Sequence, residues 1–519
     1  MPPEFLTNPM LDDSERLSLL PAERPTIRIL LYTDDPKVIT KGNELMGLGL
    51  MIEHLQAHAP AFAKIEVEWV SRSSNAQTHA DHKLDEATLG RYDEVWFFGL
   101  HQVNREKFTL GILRGGPQSE LDAIEVAALK NWMKVSEDNS KGGGGVLMTG
   151  DHANKRPPDA LPNQNADCPD NSREEKFLGL GRALGRCVPR AGRMRKWEGT
   201  PTAYPQDSFN TQTPVTGIDI NSLQIQADPN PQQLLLQTFD VKGSPAPGGQ
   251  AHPLFFYKGE AWIQVFPDHA HEGAIIMPTN LNDLDVWPRG KFMQPTPVLV
   301  ARGVDKRNSQ LLNLVSAYNG DNADVGRIVA DSSWHHYLFV NLFKFRLPVP
   351  VGSVGDQIGQ FYGNLALWLA PRRKRQEMTD TMVRWLADHP LMHEEVGGDP
   401  LEIGRKAYSL LSKVASPCEI HELLQMAAPS EYRAQFETIY FPERGYTLSP
   451  FPSKEVLLGS VIEMYYQTMI KAEASSAHDM LVEANDVQDS GFERALEKHV
   501  EQILKTATDA RNFVNNNPS

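Results

Sequence analysis

The stretch that most constrains the fold covers residues 142–154, with the sequence GGGGVLMTGDHAN. Four glycines lead into an apolar run at 146–148, and a Thr-Gly pair ends that run. Apolar runs of this length between glycines are typical of strands that are buried on both faces of a parallel sheet. Ligands of open parallel sheets bind just beyond the carboxyl ends of the strands. Asp151 and His152 follow the run directly, so we expect them at a ligand-binding edge.

Strand and helix patterns alternate along the chain before this stretch. Strands are predicted at residues 27–32, 65–70 and 94–98, and helices at residues 43–58 and 119–135. In both helices the apolar residues recur every three or four positions, as one buried helix face requires. The alternation predicts an α/β fold, in which a mainly parallel sheet carries helices on both faces.

After the glycine-rich stretch, the predicted secondary structure changes twice. Residues 155–255 are rich in Pro, Asn and Gln and predict an insertion of long loops with one helix at 173–184. Strand signals return at 261–266 and 327–330, with a weaker candidate at 298–301. Helical periodicity then dominates residues 357–368, 374–388, 400–414, 419–427, 454–472 and 474–512. We therefore expect an N-terminal arm (1–25), an α/β domain (26–348) and a C-terminal α-helical domain (349–519).

Composition excludes several classes of protein. The net charge of −15, from 51 basic and 66 acidic residues, argues against general nucleic-acid binding and against binding to anionic membranes. Three cysteines, Cys168, Cys187 and Cys418, are too few and too scattered for a disulfide framework. The sequence has neither the apolar core of a signal peptide nor an apolar run as long as a membrane span. We expect a soluble, cytoplasmic protein that acts on a small molecule.

Polar residues follow five of the predicted strands. These residues are Asp34 and Asp35, His101, Asp151 and His152, Asp268 with His269 and His271, and Asp331 with His335 and His336. If the strands are parallel, all five groups lie at one edge of the sheet. Carboxylate and imidazole are ligands of zinc, manganese and iron, and they also serve acid–base chemistry near neutral pH. The alternative is that these residues cap helices and bond loops, which Asp does often.

The two pairs of neighbouring histidines are expected to differ in the directions of their side chains. His269 and His271 lie on the same side of an extended chain, as two ligands of one metal do. His335 and His336 diverge by about 100° on a helix, so one of them faces the site, and we favour His335. Expected catalytic residues are Asp151, Asp268 and Asp331; expected metal ligands are His152, His269 and His271; expected substrate-binding residues are Asp34, His101, Arg193 and His335.

Two other motifs are less specific for a function. A basic segment, from Arg182 to Lys196 and including Arg193, could bind a phosphate or carboxylate of a substrate, or it could pair with nearby acids. The four glycines at 142–145 precede a strand, whereas a phosphate-binding P-loop follows one. They therefore predict a tight turn.

The sequence YDEVWFFG at 92–99, followed by a helix and GGGGVLMTGDH, resembles the class I glutamine amidotransferase-like superfamily. Within it, the ThuA-like branch, associated with trehalose utilisation, is most similar. His152 matches the His after its glycine-led strand, His252 and Pro253 match its His-Pro pair, and His335 matches its late His-bearing turn. The resemblance covers about residues 25–345 and implies a flavodoxin-like sheet. The superfamily's nucleophilic Cys is absent from the elbow at 149–152, so thiol catalysis is not expected.

Two functions from different classes fit this pattern. The first is a hydrolase or lyase, assisted by a divalent metal such as zinc or manganese, that acts on a small sugar- or amide-like substrate at the carboxyl edge. The second is a non-catalytic binding or scaffold protein that has an amidotransferase-like fold without the nucleophile. In either case the helical domain could assemble a homo-oligomer.

Overall fold

The fold was determined as a computed structural model. It describes residues 20–33, 40–44, 47–71, 84–98, 123–137, 141–149, 193–194, 231–259, 261–267, 275–277, 281–282, 284, 287–304, 311–393, 398–433, 435–436, 438–441, 450–473 and 493–496. Within these ranges, strands dominate before residue 332 and helices dominate after residue 353.

The strands and helices have the following bounds in chain order. The strands are β1 (Thr26–Thr33), β2 (Lys64–Ser71), β3 (Glu94–Phe98), β4 (Gly145–Thr149), β5 (Arg193–Met194), β6 (Gln232–Gln233), β7 (Leu235–Leu236), β8 (Thr238–Phe239), β9 (Gln250–Ala251), β10 (Val265–Phe266), β11 (Ile275–Ile276), β12 (Val298–Val304), β13 (Leu311–Tyr318) and β14 (Ile328–Asp331). The α-helices are α1 (Gly49–Ala57), α2 (Glu86–Leu89), α3 (Ala123–Met133), α4 (Phe339–Leu342), α5 (Val354–Leu369), α6 (Arg372–Asp388), α7 (Pro390–His393), α8 (Pro400–Val414), α9 (Pro417–Ala427), α10 (Ser430–Arg433) and α11 (Lys454–Glu473). Short 3-10 helices cover Pro253–Phe255, Gly320–Ala323, Trp334–Tyr337 and Phe343–Phe345.

The central sheet has eight strands in the order β2-β1-β3-β4-β14-β13-β12-β7. The first five strands pair in parallel, and β13, β12 and β7 continue the sheet in antiparallel pairs. The sequence prediction of an α/β fold with a mostly parallel sheet is therefore confirmed. The inner parallel strands β3, β4 and β14 are buried throughout, as strands covered on both faces are, whereas the edge strand β2 alternates apolar and charged residues.

Each face of the sheet has its own hydrophobic cluster. Ile29 and Leu31 of β1 point toward α1 and α5, whereas Leu30 and Tyr32 point toward α2 and α3. This division follows from the strand period of two, which sends successive side chains to opposite faces. Helices on both faces are thus confirmed.

The helical region packs directly on the sheet. A Cβ atom at Gly145, the first residue of β4, would stand 2.0 Å from the carbonyl oxygen of Leu369 at the end of α5. A glycine is therefore required there, and the glycine run before β4 has a packing role as well as a turn role. The larger hydrophobic cluster continues from β1 through α5 to α11. The domain boundary at residue 348 stays a prediction.

Some predicted elements differ from those observed. Residues 261–266 do not form a strand of the central sheet, because the strand within them is β10 alone and it pairs with β6 in a separate two-stranded sheet. The backbone N–H of Ile263 instead bonds Phe255, which folds this segment back onto the preceding 3-10 helix. The strand β13 was not predicted at all. Helix α1 begins at Gly49, six residues later than the pattern suggested.

Among the described residues, we found no helix with the length and apolar character needed to cross a membrane.

Candidate functional site

The carboxyl ends of four parallel strands lie side by side. Thr33 at the end of β1 pairs with Phe98 at the end of β3, and Thr149 at the end of β4 pairs with Asp331 at the end of β14. The hydroxyl group of Thr149 donates a hydrogen bond to the carbonyl oxygen of Phe97 at 2.8 Å, which ties β4 to β3. This is the edge at which parallel α/β sheets bind ligands.

Asp331 is the acid at this edge that the structure describes, and it is fully buried. Its Oδ1 atom accepts hydrogen bonds from Nδ1 of His336 at 2.7 Å and from the backbone N–H of Ser333 at 3.1 Å. Its Oδ2 atom accepts a bond from the hydroxyl group of Tyr337 at 2.9 Å. A buried carboxylate needs such donors, because an unpaired charge in the interior is costly.

The local sequence explains this arrangement. Ser333 caps the 3-10 helix Trp334–Tyr337, and its hydroxyl oxygen accepts from the backbone N–H of His335 at 3.2 Å. The resulting turn brings His336 and Tyr337 back toward the carboxylate that ends β14. Seven consecutive residues thus build the strand end, the turn and its hydrogen bonds.

The hydrogen bonds fix the chemical state of the cluster. An ionised carboxylate only accepts, so Nδ1 of His336 donates, and Nε2 is the nitrogen with the lone pair in neutral imidazole. Burial, together with the charge of Asp331, raises the pKa of Tyr337 well above its usual value, so its hydroxyl group remains a donor. The carboxylate therefore orients the imidazole ring, with Nδ1 directed toward Oδ1.

Aromatic side chains hold the pair in place. The ring of Phe266 lies 4.8 Å from the ring of His336, centroid to centroid, and the ring of Phe98 lies 5.3 Å from that of Tyr337. The hydroxyl group of Tyr362, on α5 of the helical region, donates to the backbone carbonyl oxygen of His336 at 2.6 Å. Residues from the end of β3, from β10 and from α5 therefore all contribute to this support.

Of the site residues predicted from the sequence, Asp331 and His335 are described in full. His336, rather than the favoured His335, bonds Asp331. His335 is also buried, and its ring lies 5.3 Å from that of Trp334. Arg193 is described through its backbone alone, as part of β5, which pairs with β11. The remaining predicted residues, Asp34, His101, Asp151, His152, Asp268, His269 and His271, lie outside the described residues.

The structure does describe the strands that precede several of these residues. β1, β3 and β4 end at Thr33, Phe98 and Thr149, one to three residues before Asp34, His101 and Asp151 respectively. By contrast, β10 precedes Asp268 and belongs to a different sheet. The expectation that five groups follow strands of a single sheet is therefore wrong for the group at 268–271.

The metal site stays a prediction. Within the described ranges, no three side chains of His, Cys, Asp or Glu come together as the ligands of a metal would. Both oxygen atoms of Asp331 accept hydrogen bonds from protein donors, which fits an orienting role better than a ligand role. The predicted ligands themselves lie outside the described residues.

His252, of the predicted His-Pro pair, occupies a different place. Its Nδ1 atom accepts from the backbone N–H of Leu254 at 3.4 Å, which caps the short helix Pro253–Phe255. Burial, with Arg327 and His421 nearby, lowers its pKa well below the usual value. Arg327 precedes β14, so His252 lies toward the amino end of that strand, whereas Asp331 is at the carboxyl end. His252 also lines a small cavity with Asn319 and Tyr440.

In comparisons with known proteins, no family model, no curated protein and no solved structure matches this chain.

Proposed function

We propose that the protein is a hydrolase or lyase that acts on a small, sugar- or amide-like substrate at the carboxyl edge of the sheet. One observation carries the proposal: a buried carboxylate at the end of a parallel strand holds an imidazole through Nδ1. That arrangement presents Nε2 as a general base, and it recurs where proteins activate water or a hydroxyl group.

We also propose that the sheet is flavodoxin-like and related to the ThuA-like branch of the amidotransferase-like superfamily. The order β2-β1-β3-β4-β14 supports this, because flavodoxin-like sheets have the strand order 2-1-3-4-5. The antiparallel strands β13, β12 and β7 are additions at one side. The motifs at 92–99 and 142–152 carry the family resemblance.

In this proposal His336 takes a proton from water while the water oxygen adds to the electrophilic carbon of the substrate. The bond to the leaving group then breaks, and the same proton passes from His336 to that group. Asp331 stabilises the imidazolium that forms in between, and Tyr337 holds the second carboxylate oxygen in place. Asp331 and Tyr337 are positioning residues, and His336 is the base.

A divalent metal, zinc or manganese, belongs to the proposal as a Lewis acid that lowers the pKa of water when bound. The predicted ligands are His152, His269 and His271, and the predicted acids are Asp151 and Asp268. Asp34, His101, Arg193 and His335 are the proposed substrate-binding residues.

A panel of chromogenic probes tests the proposal, namely p-nitrophenyl acetate, p-nitrophenyl glycosides and p-nitroanilides, each with and without added zinc or manganese. The variant His336→Gln should lower kcat for any probe that is turned over by about 10²- to 10⁴-fold, as removal of a general base does. His389→Gln, which changes a histidine of the helical region, should leave kcat unchanged. Equal rates for both variants and the wild type would contradict the role of His336.

The alternative is a binding or scaffold protein whose helical region serves assembly. It is favoured by the burial of the cluster, because His336 is 1% exposed and Asp331 is 0% exposed. Such a network also suits a purely structural turn. In that case no probe is turned over, and His336→Gln lowers the melting temperature without a change in any activity.

A further inference from the structure

The small cavity beside His252 lies where three parts of the chain meet. Its walls come from β8 and the residue after β9 (Phe239, His252), from β13 and the residue after it (Ala317, Asn319), and from α5 and the segment before α11 (Trp368, Tyr440). The cavity has room for about one water molecule. A ligand bound here would therefore contact all three parts at once.

Aromatic rings form most of these walls. The rings of Phe239 and Tyr440 are stacked with their centroids 6.2 Å apart, and the ring of His252 meets that of Trp368 edge to face at 5.1 Å. The ring of His252 also meets that of Phe239, at 6.2 Å. Each of the two polar rings, those of His252 and Tyr440, is thus fixed by its neighbours.

The imidazole of His252 has a hydrogen-bond donor that no described residue accepts. Its Nδ1 atom accepts from the backbone N–H of Leu254, so Nδ1 carries a lone pair. Burial lowers the pKa of His252 well below its usual value, so the ring is neutral and its one proton is on Nε2. The residue is 4% exposed, which leaves the cavity as the place where Nε2–H can find an acceptor.

The hydroxyl group of Tyr440 is in the same position. Tyr440 is 1% exposed, and its hydrogen bond among the described residues is made by its backbone N–H, which donates to the carbonyl oxygen of Val241 at 3.1 Å. The rings of Phe239 and His421 lie beside its own ring. A buried hydroxyl group without a partner costs free energy, as does a buried N–H. Both costs are removed if one small molecule bonds the two groups.

The charges near the cavity show which kind of molecule fits. Asn319, on the wall, accepts from Nε of Arg327 at 3.2 Å, so the cavity adjoins the ion pairs of that arginine. There, Arg327 and Arg375 bond Asp321 and Glu422. Two cations already meet two anions, and a further ion would be buried without a counter-charge, which is costly. The ligand is therefore expected to be neutral.

We propose that the cavity is a binding site for one water molecule, which accepts a hydrogen bond from Nε2–H of His252 and bonds the hydroxyl group of Tyr440. A buried water makes about three hydrogen bonds, and the polar residues Asn319 and Thr438 also line the cavity. The water joins the residue after β9 to the segment before α11. It thereby extends the network of Arg327 to a third part of the chain.

Urea unfolding of the full chain and of Tyr440→Phe tests the proposal through the sign of the effect. If a water is bound, the variant loses a hydrogen bond, and its unfolding constant should rise about twofold to tenfold. If the cavity is dry, the substitution removes an unsatisfied hydroxyl group instead, and the unfolding constant stays the same or falls. The second result would overturn the proposal.

Tyr466→Phe is the matched control. The hydroxyl group of Tyr466 donates to the carbonyl oxygen of Ala387 at 2.7 Å, so this substitution removes a hydrogen bond between two protein groups. Its unfolding constant should rise whatever the cavity holds, which gives the scale for Tyr440→Phe. Both variants should behave alike in sodium chloride and in sodium acetate at equal ionic strength. A penalty for Tyr440→Phe that appears only with chloride would assign the site to an ion and overturn the water.

A measurement on the wild-type protein does not depend on the folding of a variant. In protein labelled at its alanine methyl groups, magnetisation transfer from water should reach Ala317, which is 1% exposed and lines the cavity. Ala407, which is 0% exposed and belongs to the apolar cluster, is the control and should receive none. Absence of the signal at Ala317, or an equal signal at Ala407, would overturn the proposal.

Discussion

The polar clusters at the two ends of β14 contain different kinds of side chains. Arg327 precedes the strand, and its guanidinium group bonds Glu422 at 2.9 Å and Asp321 at 3.1 Å. Arg375, from α6, bonds the same two carboxylates. Two cations thus face two anions, and the bonds join the sheet to α6 and α9.

The carboxyl end of the same strand has one carboxylate and different partners. Asp331 meets an imidazole, a phenol and a backbone N–H. An arginine keeps its proton at any ordinary pH, whereas an imidazole exchanges one near neutrality. The amino end is therefore suited to holding two regions together, and the carboxyl end is suited to moving a proton. This contrast is why the candidate site lies at the carboxyl end.

The largest expected effect comes from breaking the amino-end network. Arg375→Met would leave Arg327 as the one arginine that bonds both Asp321 and Glu422, in a place where the Glu422 side chain is 1% exposed. Removing one partner of a buried ion pair costs about 3–5 kcal/mol, because the remaining charge is uncompensated. Urea unfolding measures the loss.

Lys374→Met, on the same helix, is the control for this variant. Lys374 pairs with Glu377, whose side chain is 48% exposed, and a surface pair contributes at most about 1 kcal/mol. If the two variants were equally stable, the amino-end network would not be what joins the regions.

A smaller loss of stability is expected at the other end of the strand. Asp331→Asn keeps the shape of the side chain but replaces one acceptor oxygen by an NH₂ group that faces donors. We expect a cost of about 1–3 kcal/mol, as for one unsatisfied buried group. Turnover of an active probe should fall much further, by about 10²- to 10⁴-fold, because the imidazole loses its orienting partner. If activity falls no further than the fraction of folded protein, Asp331 has only a structural role, and the two ends of β14 do not differ in function.

The sequence predicted those parts of the fold that depend on local pattern. The helix predicted at 400–414 has those bounds, because Asp399 caps it and Pro400 suits its first turn. The apolar runs of β3 and β4 identified two buried strands at the centre of the sheet. The end of β14 was predicted at residue 330, one residue before its observed end at Asp331.

Features that depend on contacts between residues far apart in the sequence could not be predicted from local patterns. Asn313 interrupts the apolar pattern of β13, and its side chain bonds the carbonyl oxygen of Ile275 instead. The choice of His336 over His335 follows from a 3-10 turn that Ser333 caps, whereas the sequence prediction of His335 depends on α-helical geometry. His58 and Asp356, whose side chains are hydrogen bonded, are 298 positions apart, a separation at which no local pattern links two residues.

A gain of stability is expected at Glu94, whose carboxyl group pairs with no cation among the described residues. Glu94, the first residue of β3, is 0% exposed, and its Oε2 atom accepts from Nε1 of Trp96 at 2.8 Å. Burial, and the nearby charge of Asp93, raise its pKa well above the usual value. The folded protein therefore keeps this acid protonated at a pH where the unfolded chain has ionised it.

The sign of the effect follows from this difference. A raised pKa stabilises the fold below the unfolded value of about 4.3, and that stabilisation is lost as the pH rises. Glu94→Gln cannot ionise, so it should be more stable than the wild type by about 1–3 kcal/mol near pH 8, with the difference vanishing near pH 4. Thermal melts across this range measure it. A constant difference would mean that Glu94 is paired after all.

The smallest effect is expected at the described cysteine, Cys418, which belongs to the amino-end side of the comparison. The residue is fully buried in α9, and burial, followed by the charges of Glu422 and Glu419, raises the pKa of its thiol well above the usual value. A protonated thiol is a poor nucleophile, so we expect Cys418 to take no part in chemistry at the carboxyl edge. Replacing it together with Cys168 and Cys187, which lie outside the described residues, by serine should leave the turnover of any active probe unchanged. The cost in stability should be about 1 kcal/mol, which thermal melts can separate from activity. Complete loss of turnover by a folded triple variant would show that a cysteine thiol is the catalytic group, as in the amidotransferase-like superfamily, and that His336 is not.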